Sequence, residues 1–287
     1  MRRKWARRVK DYTGMMQISV DIKPNRSVSD VFINQKMDVT ELVKYLDKKK
    51  KQDKHFTFYH AVVTGIGKVY YNRPLLNRFV QNRHLFEHKK VTIGFVAKTA
   101  FNDRAEEMMI LLDIDKDDNI ETLSQKIADK VGGIRKPEGE KIEKKGANNI
   151  IDVLGHMPNI IRVPIVGLMK WLDKKGILPA SIEEDNLYYC SIILSNLGRL
   201  HSGAIFHNIT DFGNASALAT IGEIRDEEVI IDGKKQVRKL CEFGINLDER
   251  IGDGYYFIKS IQMLQYIFDH PQMLEEPANE KIEVELR

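Results

Sequence analysis

The chain has 287 residues, 43% of them hydrophobic and 30% charged, with a formal net charge of +4 and a mean hydropathy of −0.36. That composition supplies one large core or two small ones in a water-soluble protein, and the slight basic surplus argues against nucleic acid as a partner, which calls for basic residues gathered on one face. No run approaches the roughly eighteen apolar residues of a membrane span, and Cys190 and Cys241 show neither a metal spacing nor a disulfide framework, so a reducing cytoplasm is expected.

Residues 1–14 open with Met1-Arg2-Arg3-Lys4-Trp5-Ala6-Arg7-Arg8 and lack the apolar segment of a signal peptide. They are expected to be a solubilising tail, with an anionic surface or a polyphosphate ligand as the alternative partner. Residues 15–22 alternate apolar and polar side chains and predict a strand. A helix is expected from about Asp38 to Lys51, with Asp38 or Thr40 able to cap it and lysines at its negative end. Residues 55–69 predict a longer buried helix with His60 in the core. Gly65-Ile66-Gly67-Lys68 lies within that helix and lacks the remaining glycine spacing of a phosphate loop.

Strands are predicted at 91–98 and 108–114, and an amphipathic helix at 120–131. Residues 132–146 are charged, carry Gly and Pro, and read as a loop. Two apolar helices follow at 149–178, the second spanning 160–172 around Pro164. Their apolar faces are expected to pack into the chain's own core, the alternatives being a neighbouring subunit or an acyl chain. Further strands are predicted at 188–194, 215–221 and 228–247, with Asp232-Gly233 as a hairpin turn. Strands and long helices mix without regular βαβ alternation, which predicts an α+β sandwich with helices on one face.

Four motifs occur in one order. Residues 56–79 form an apolar helical pattern ending in Arg73-Pro74-Leu75-Leu76-Asn77-Arg78, and Val91-Thr92-Ile93-Gly94-Phe95-Val96 follows. Ser195-Asn196-Leu197-Gly198 ends a strand, and Leu247-Asp248-Glu249-Arg250-Ile251-Gly252-Asp253-Gly254 precedes a helical pattern at 255–268. Together these resemble the chloramphenicol acetyltransferase and dihydrolipoyl acyltransferase superfamily, whose last motif is His-x-x-x-Asp-Gly. Glu249 stands at the histidine position. The Asp-Glu-Arg-Ile-x-Asp-Gly form and Leu178-Pro179-Ala180-Ser181 are similar to stand-alone bacterial proteins carrying a 2-oxoacid dehydrogenase acyltransferase catalytic domain.

The resemblance implies a chloramphenicol-acetyltransferase-like mixed-sheet sandwich over residues 15–277, with a longer connection at 133–185 and a C-terminal tail at 278–287. It implies acyl transfer from a thioester such as acyl-CoA to a small acceptor, with coenzyme A as co-substrate rather than a covalently held cofactor, and no metal. It places the site between the subunits of a homotrimer. There Glu249 would be the general base, its carboxylate made basic by burial while Asp248 and Arg250 point away. Ser195 or Asn196 would hydrogen-bond the oxyanion. Asp253 is implied to pair with Arg26, and Gly254 to allow a tight turn into the helix.

His201 and His207 are candidates for a substitute base. With no lipoyl domain or swinging linker in the sequence, the chain does not read as a pyruvate-dehydrogenase core subunit. The reading of a different class is a catalytically silent trimeric binding or scaffold protein, a pseudo-acyltransferase without the motif histidine. A third is membrane-surface contact through the basic head and the 160–172 helix.

Overall fold

A computed structural model describes residues 5–98, 106–133, 146–183 and 185–284. The first half of the chain runs β1 (Ala6–Arg8), α1 (Gly14–Ile22), β2 (Asp30–Asp38), α2 (Thr40–Lys50), α3 (Phe58–Asn72), β3 (Arg78–Gln81), β4 (His84–His88), β5 (Val91–Lys98) and β6 (Glu107–Ile114). The second half adds α4 (Ile120–Gly132), α5 (Gly146–Gly155), α6 (Asn159–Lys175), α7 (Ala180–Glu183), β7 (Ile192–Asn196), β8 (Ala217–Ile231), β9 (Lys234–Asp248) and α8 (Gly254–Asp269).

Six strands form one mixed sheet in the order β2-β9-β8-β7-β5-β6, and β1-β4-β3 form a small antiparallel sheet. Among the described residues only β7 runs parallel to its neighbours, β5 and β8. The period of two along each strand sorts the two faces. Ile192, Leu194, Ala217 and Ala219 share a core with α2, α3, α4 and α8, whereas Ile193 and Leu218 face away and pack with Leu187, Cys190 and Ile209. This is the expected α+β sandwich with helices on one face.

Side-chain caps fix the helix starts. Thr57 Oγ1 accepts the His60 N–H at 3.2 Å while His60 Nδ1 accepts the Thr57 N–H at 3.3 Å. His60 is therefore a half-buried cap rather than a core residue, and burial lowers its imidazole pKa. Asn119 caps α4 through the N–H groups of Glu121 and Thr122, and Asp38 takes the N–H of Thr40 at the start of α2. The glycines of α3 serve packing. A Cβ at Gly67 would lie 2.8 Å from Ile114 Cδ1, so a bare backbone lets α3 settle on β6. The neighbouring Lys68 is fully buried and donates to the Pro277 carbonyl at 2.7 Å and the Glu276 carbonyl at 3.3 Å.

Several expectations are corrected. Residues 15–22, read as a strand, form helix α1. Thr13 caps it, and Met16 and Val20, four residues apart, point inward, a spacing that eight residues of alternation also satisfy. The basic head is not wholly a tail: Ala6 to Arg8 pair with β4, and Trp5 stacks on Phe79 and His88. The C-terminal stretch is held too, since Ala278 is buried and the Ile282 N–H donates to Asn72 Oδ1 at 3.0 Å.

The strand expected at 188–194 begins only at Ile192, because 188–190 fold into turns against the Gly94 backbone. The apolar insertion does not pack into the core. Asp173 is the one buried residue of α6, while Ile160, Val163, Leu168 and Trp171 are 84%, 62%, 57% and 54% exposed. Pro164 sits inside α6 without ending it. The loop expected at 132–146 lies almost wholly outside the described residues. No helix among the described residues is long and apolar enough to cross a membrane.

Candidate active site

Strand β9 delivers the acidic motif to one end of the sheet. Its last residue, Asp248, is fully buried, and so is Arg250 at 2% exposure. Arg250 Nε and Nη2 donate to the two Asp248 carboxylate oxygens at 2.8 and 2.6 Å, and Nη1 donates to the Lys23 carbonyl at 2.9 Å. Glu249, in the turn that follows β9, points the other way, as expected. Its N–H is held by the Ser29 carbonyl at 3.0 Å, and its carboxylate pairs with the Lys23 ammonium. The desolvated environment expected for Glu249 is absent: both side chains of that pair are about a third exposed, at 35% and 36%. The burial lies in its two neighbours instead.

Asp253 does not pair with Arg26. Its carboxylate accepts the Tyr256 N–H at 2.7 Å and caps α8. Arg26 is 4% exposed and donates to the carbonyls of Asp211, Thr210 and Val80 at 3.2 to 3.4 Å. Burial lowers its pKa, partly offset by the field of Asp248. The charged pair of this turn is instead Asp248 with Arg250. Gly254 is the first residue of α8, with open space where a Cβ would stand. Among the described residues nothing requires glycine there.

Ser195 and Asn196 stand at the end of β7, away from the end of β9, while β8 and β9 run on past them to the Asp232-Gly233 turn. Ser195 is half-buried, and Asn196 is exposed with its Oδ1 accepting the Gly198 N–H at 3.1 Å. A Cβ at Gly198 would lie 2.7 Å from the Gly222 carbonyl, so glycine is required for the turn to touch the bulge of β8. Register fixes the separation. Ser195 is level with Thr220 and Thr220 with Gly244. Asp248, which Glu249 follows in a turn, lies four residues farther along, about 14 Å at the antiparallel rise per residue. Two strand spacings add about 10 Å sideways. Ser195 and Glu249 of one chain therefore cannot hold the same reacting atom.

Residues 201–213 join the two ends. Ser202 accepts from the Glu223 N–H at 2.9 Å, Ile205 donates to Thr220 at 3.1 Å, His207 to Asn246 at 3.3 Å and Ile209 to Asp30 at 3.1 Å. The segment thus advances along the strands from the Ser195 end toward Asp248, which is level with Asp30. His201, near Ser195, is exposed in the left-handed region at φ 54°. Its Nδ1 lies 2.6 Å from Glu223 Oε1, and this bond holds the Glu223 carboxyl below its ordinary range. The His207 ring is exposed. Neither histidine is brought to Glu249 by any contact. Beneath the segment, Asn246 Nδ2, Ser216 Oγ, Asp30 Oδ1 and both Asn214 amide atoms are buried without partners.

Both cysteines are free and buried, and burial pushes each thiol up to about 12. Sequence reasoning missed Lys23 and Asp173. Lys23 meets Glu249 across 226 positions of sequence, and no local pattern marks such a pair.

Known structures share this architecture. A probable dihydrolipoamide acetyltransferase from Listeria monocytogenes 4b F2365 is similar over 98% of this chain and 99% of its own, at 15% identity and a TM-score of 0.58. A truncated catalytic core of the 2-oxoacid dehydrogenase multienzyme complex from Thermoplasma acidophilum is similar over 92% and 99%, at 15% identity and 0.57. A chloramphenicol acetyltransferase is similar over 92% and 99%, at 10% identity and 0.54. No family model matches the sequence, and no curated protein sequence matches it. The chain has the fold of the chloramphenicol acetyltransferase and dihydrolipoamide acetyltransferase catalytic cores.

Proposed function

We propose that the protein transfers an acyl group from a thioester such as acyl-CoA to a small acceptor, at a site completed between copies of the chain. One observation carries this reading: on an acyltransferase fold, Glu249 and the Ser195–Asn196 pair stand at the ends of different strands of one sheet, too far apart within a chain to share a reacting atom. A closed threefold ring, in which one subunit's Glu249 end meets the next subunit's Ser195 end, unites them. Some of the similar structures are acetyltransferase cores of larger assemblies, among them the cubic core of a pyruvate dehydrogenase complex.

In such a site Glu249 takes the proton of the acceptor X–H as the X lone pair attacks the thioester carbonyl carbon. The oxyanion that forms accepts hydrogen bonds from the Ser195 hydroxyl or the Asn196 amide of the neighbouring chain. Collapse of this intermediate breaks the C–S bond, and the departing thiolate takes the proton back from Glu249. Lys23 must release the carboxylate, or move with it, for the base to act.

That Lys23 pair also supports a second reading, a silent scaffold in which Glu249 is only an ion-pair partner. Thiol release from acyl-CoA thioesters of several chain lengths, with amine, alcohol and thiol acceptors, separates the two. The transferase reading expects turnover that falls about a hundred- to ten-thousand-fold in Glu249→Gln. A parent protein that releases no thiol with any donor and acceptor is a scaffold.

A further inference from the structure

A cavity of about 510 Å³ opens between the end of α1, the tip of the β3–β4 hairpin and the last turns of α6. Its lining is strongly cationic: Arg26, Arg83, Lys170, Lys174, Lys175 and Arg250, against two acids, Asp173 and Asp211. Both acids are already engaged by neutral donors. Asp173 accepts from the Tyr189 hydroxyl at 2.6 Å, the Gly213 N–H at 2.9 Å and Gln81 Nε2 at 3.3 Å. Asp211 accepts from the Ser27 N–H and hydroxyl, both at 3.1 Å.

The cations are not answered in the same way. Asp248 neutralises Arg250, but the side chains of Arg83, Lys170, Lys174 and Lys175 make no ion pair or hydrogen bond among the described residues. Arg26, nine-tenths buried and more, reaches only neutral carbonyls, and its Nε has no partner. Like charges gathered around one concavity repel one another, and Asp248, Asp173 and Asp211 act on the buried Arg26 guanidinium only through their fields, none of them hydrogen-bonded to it. An anion in the cavity relieves both. A single carboxylate offers too few oxygens for five cations, whereas phosphate groups offer three each and match both the arginine fork and the lysine point charges.

We propose that this cavity binds a multiply charged, phosphate-bearing ligand. Arg26 is its buried anchor, and Arg83 and the α6 lysines close around it. The volume is that of an ordinary small-molecule site. Two sources share this chemistry. One is a soluble phosphate ester; the other is an anionic lipid headgroup, over which the exposed Ile160, Val163 and Leu168 of α6 would meet acyl chains. The inference stands apart from acyl transfer, and its test contains no acyl donor.

The test is calorimetric titration of the full chain with inorganic pyrophosphate, at low and high salt, for the parent, Lys170→Gln/Lys174→Gln and Arg83→Gln. These positions are lining side chains rather than core residues, and unchanged thermal unfolding verifies the fold of each variant. Saturable binding is expected, weakened by salt and at least about tenfold weaker in the lysine variant. Co-sedimentation with phosphatidylcholine vesicles containing phosphatidic acid, reversed by pyrophosphate, assigns the ligand to a lipid headgroup. Pyrophosphate binding without co-sedimentation assigns it to a soluble ester. No saturable binding, or binding that the lysine variant leaves intact, overturns the proposal.

Discussion

Arg250 grips both carboxylate oxygens of Asp248, at 2.8 and 2.6 Å, across the single residue Glu249, whose side chain leaves in the opposite direction. The buried pair locks the turn after β9 and thereby sets where Glu249 points. Removing one partner leaves the other charge buried and alone. Asp248→Ala should cost about 3–5 kcal/mol in denaturant unfolding. The double variant Asp248→Leu/Arg250→Met should recover much of that loss, because it removes both charges together.

Asp253→Ala should be far milder. Its carboxylate caps α8 through Tyr256, and loss of such a cap costs about 1 kcal/mol. Denaturant unfolding of this variant beside Asp248→Ala distinguishes a cap from an ion pair. Equal losses would restore the charge-paired role that the sequence motif suggested.

His88 supplies a pH dependence. Its ring lies between Trp5 and Phe79 with Nε2 sealed from solvent, and burial, helped by the Arg26 charge, lowers its pKa from the ordinary 6.5 to about 3. The unfolded chain then binds a proton that the folded chain does not, so stability falls as pH drops through this window. The slope should approach about 1.4 kcal/mol per pH unit for this one group. Denaturant midpoints measured between pH 7 and 4 should decline less steeply in His88→Phe, which keeps the stacking and loses the titration.

Gly254→Ala tests what the motif glycine is for. The backbone there is helical and the space is open, so alanine should leave stability unchanged or raise it by about 0.4–1 kcal/mol. Thermal unfolding reads this directly. A variant that is stable yet loses thiol release or assembly would show that the glycine makes room for something outside the chain.

The sequence revealed what repeats over many residues. The long helices, the β5–β6 pair and the Asp232-Gly233 hairpin follow from periodicity and turn chemistry, and the resemblance carried the fold from scattered short motifs. It did not reveal what depends on distant partners. Strand β2 borrows its conformation from β9, two hundred residues away. The Asp248–Arg250 pair is hidden by its own closeness, since adjacent acid and base in a strand read as two exposed charges. The apolar run of 160–172 looked like core because composition does not say which face is covered. Glu249 was found by its motif, but its partner Lys23 carries no local signal.

The central claim is that Glu249 of one chain meets Ser195 of another. Cysteines placed at both positions, treated with a short bismaleimide at micromolar protein, test it without any knowledge of the substrate; native Cys190 and Cys241 are buried and serve as the background control. The account predicts that Ser195→Cys/Glu249→Cys is cross-linked into covalent dimers and trimers of the 33.2 kDa chain, while either single variant stays monomeric on a denaturing gel. A double variant that remains monomeric, or is bridged only within one chain, would contradict a site shared between subunits.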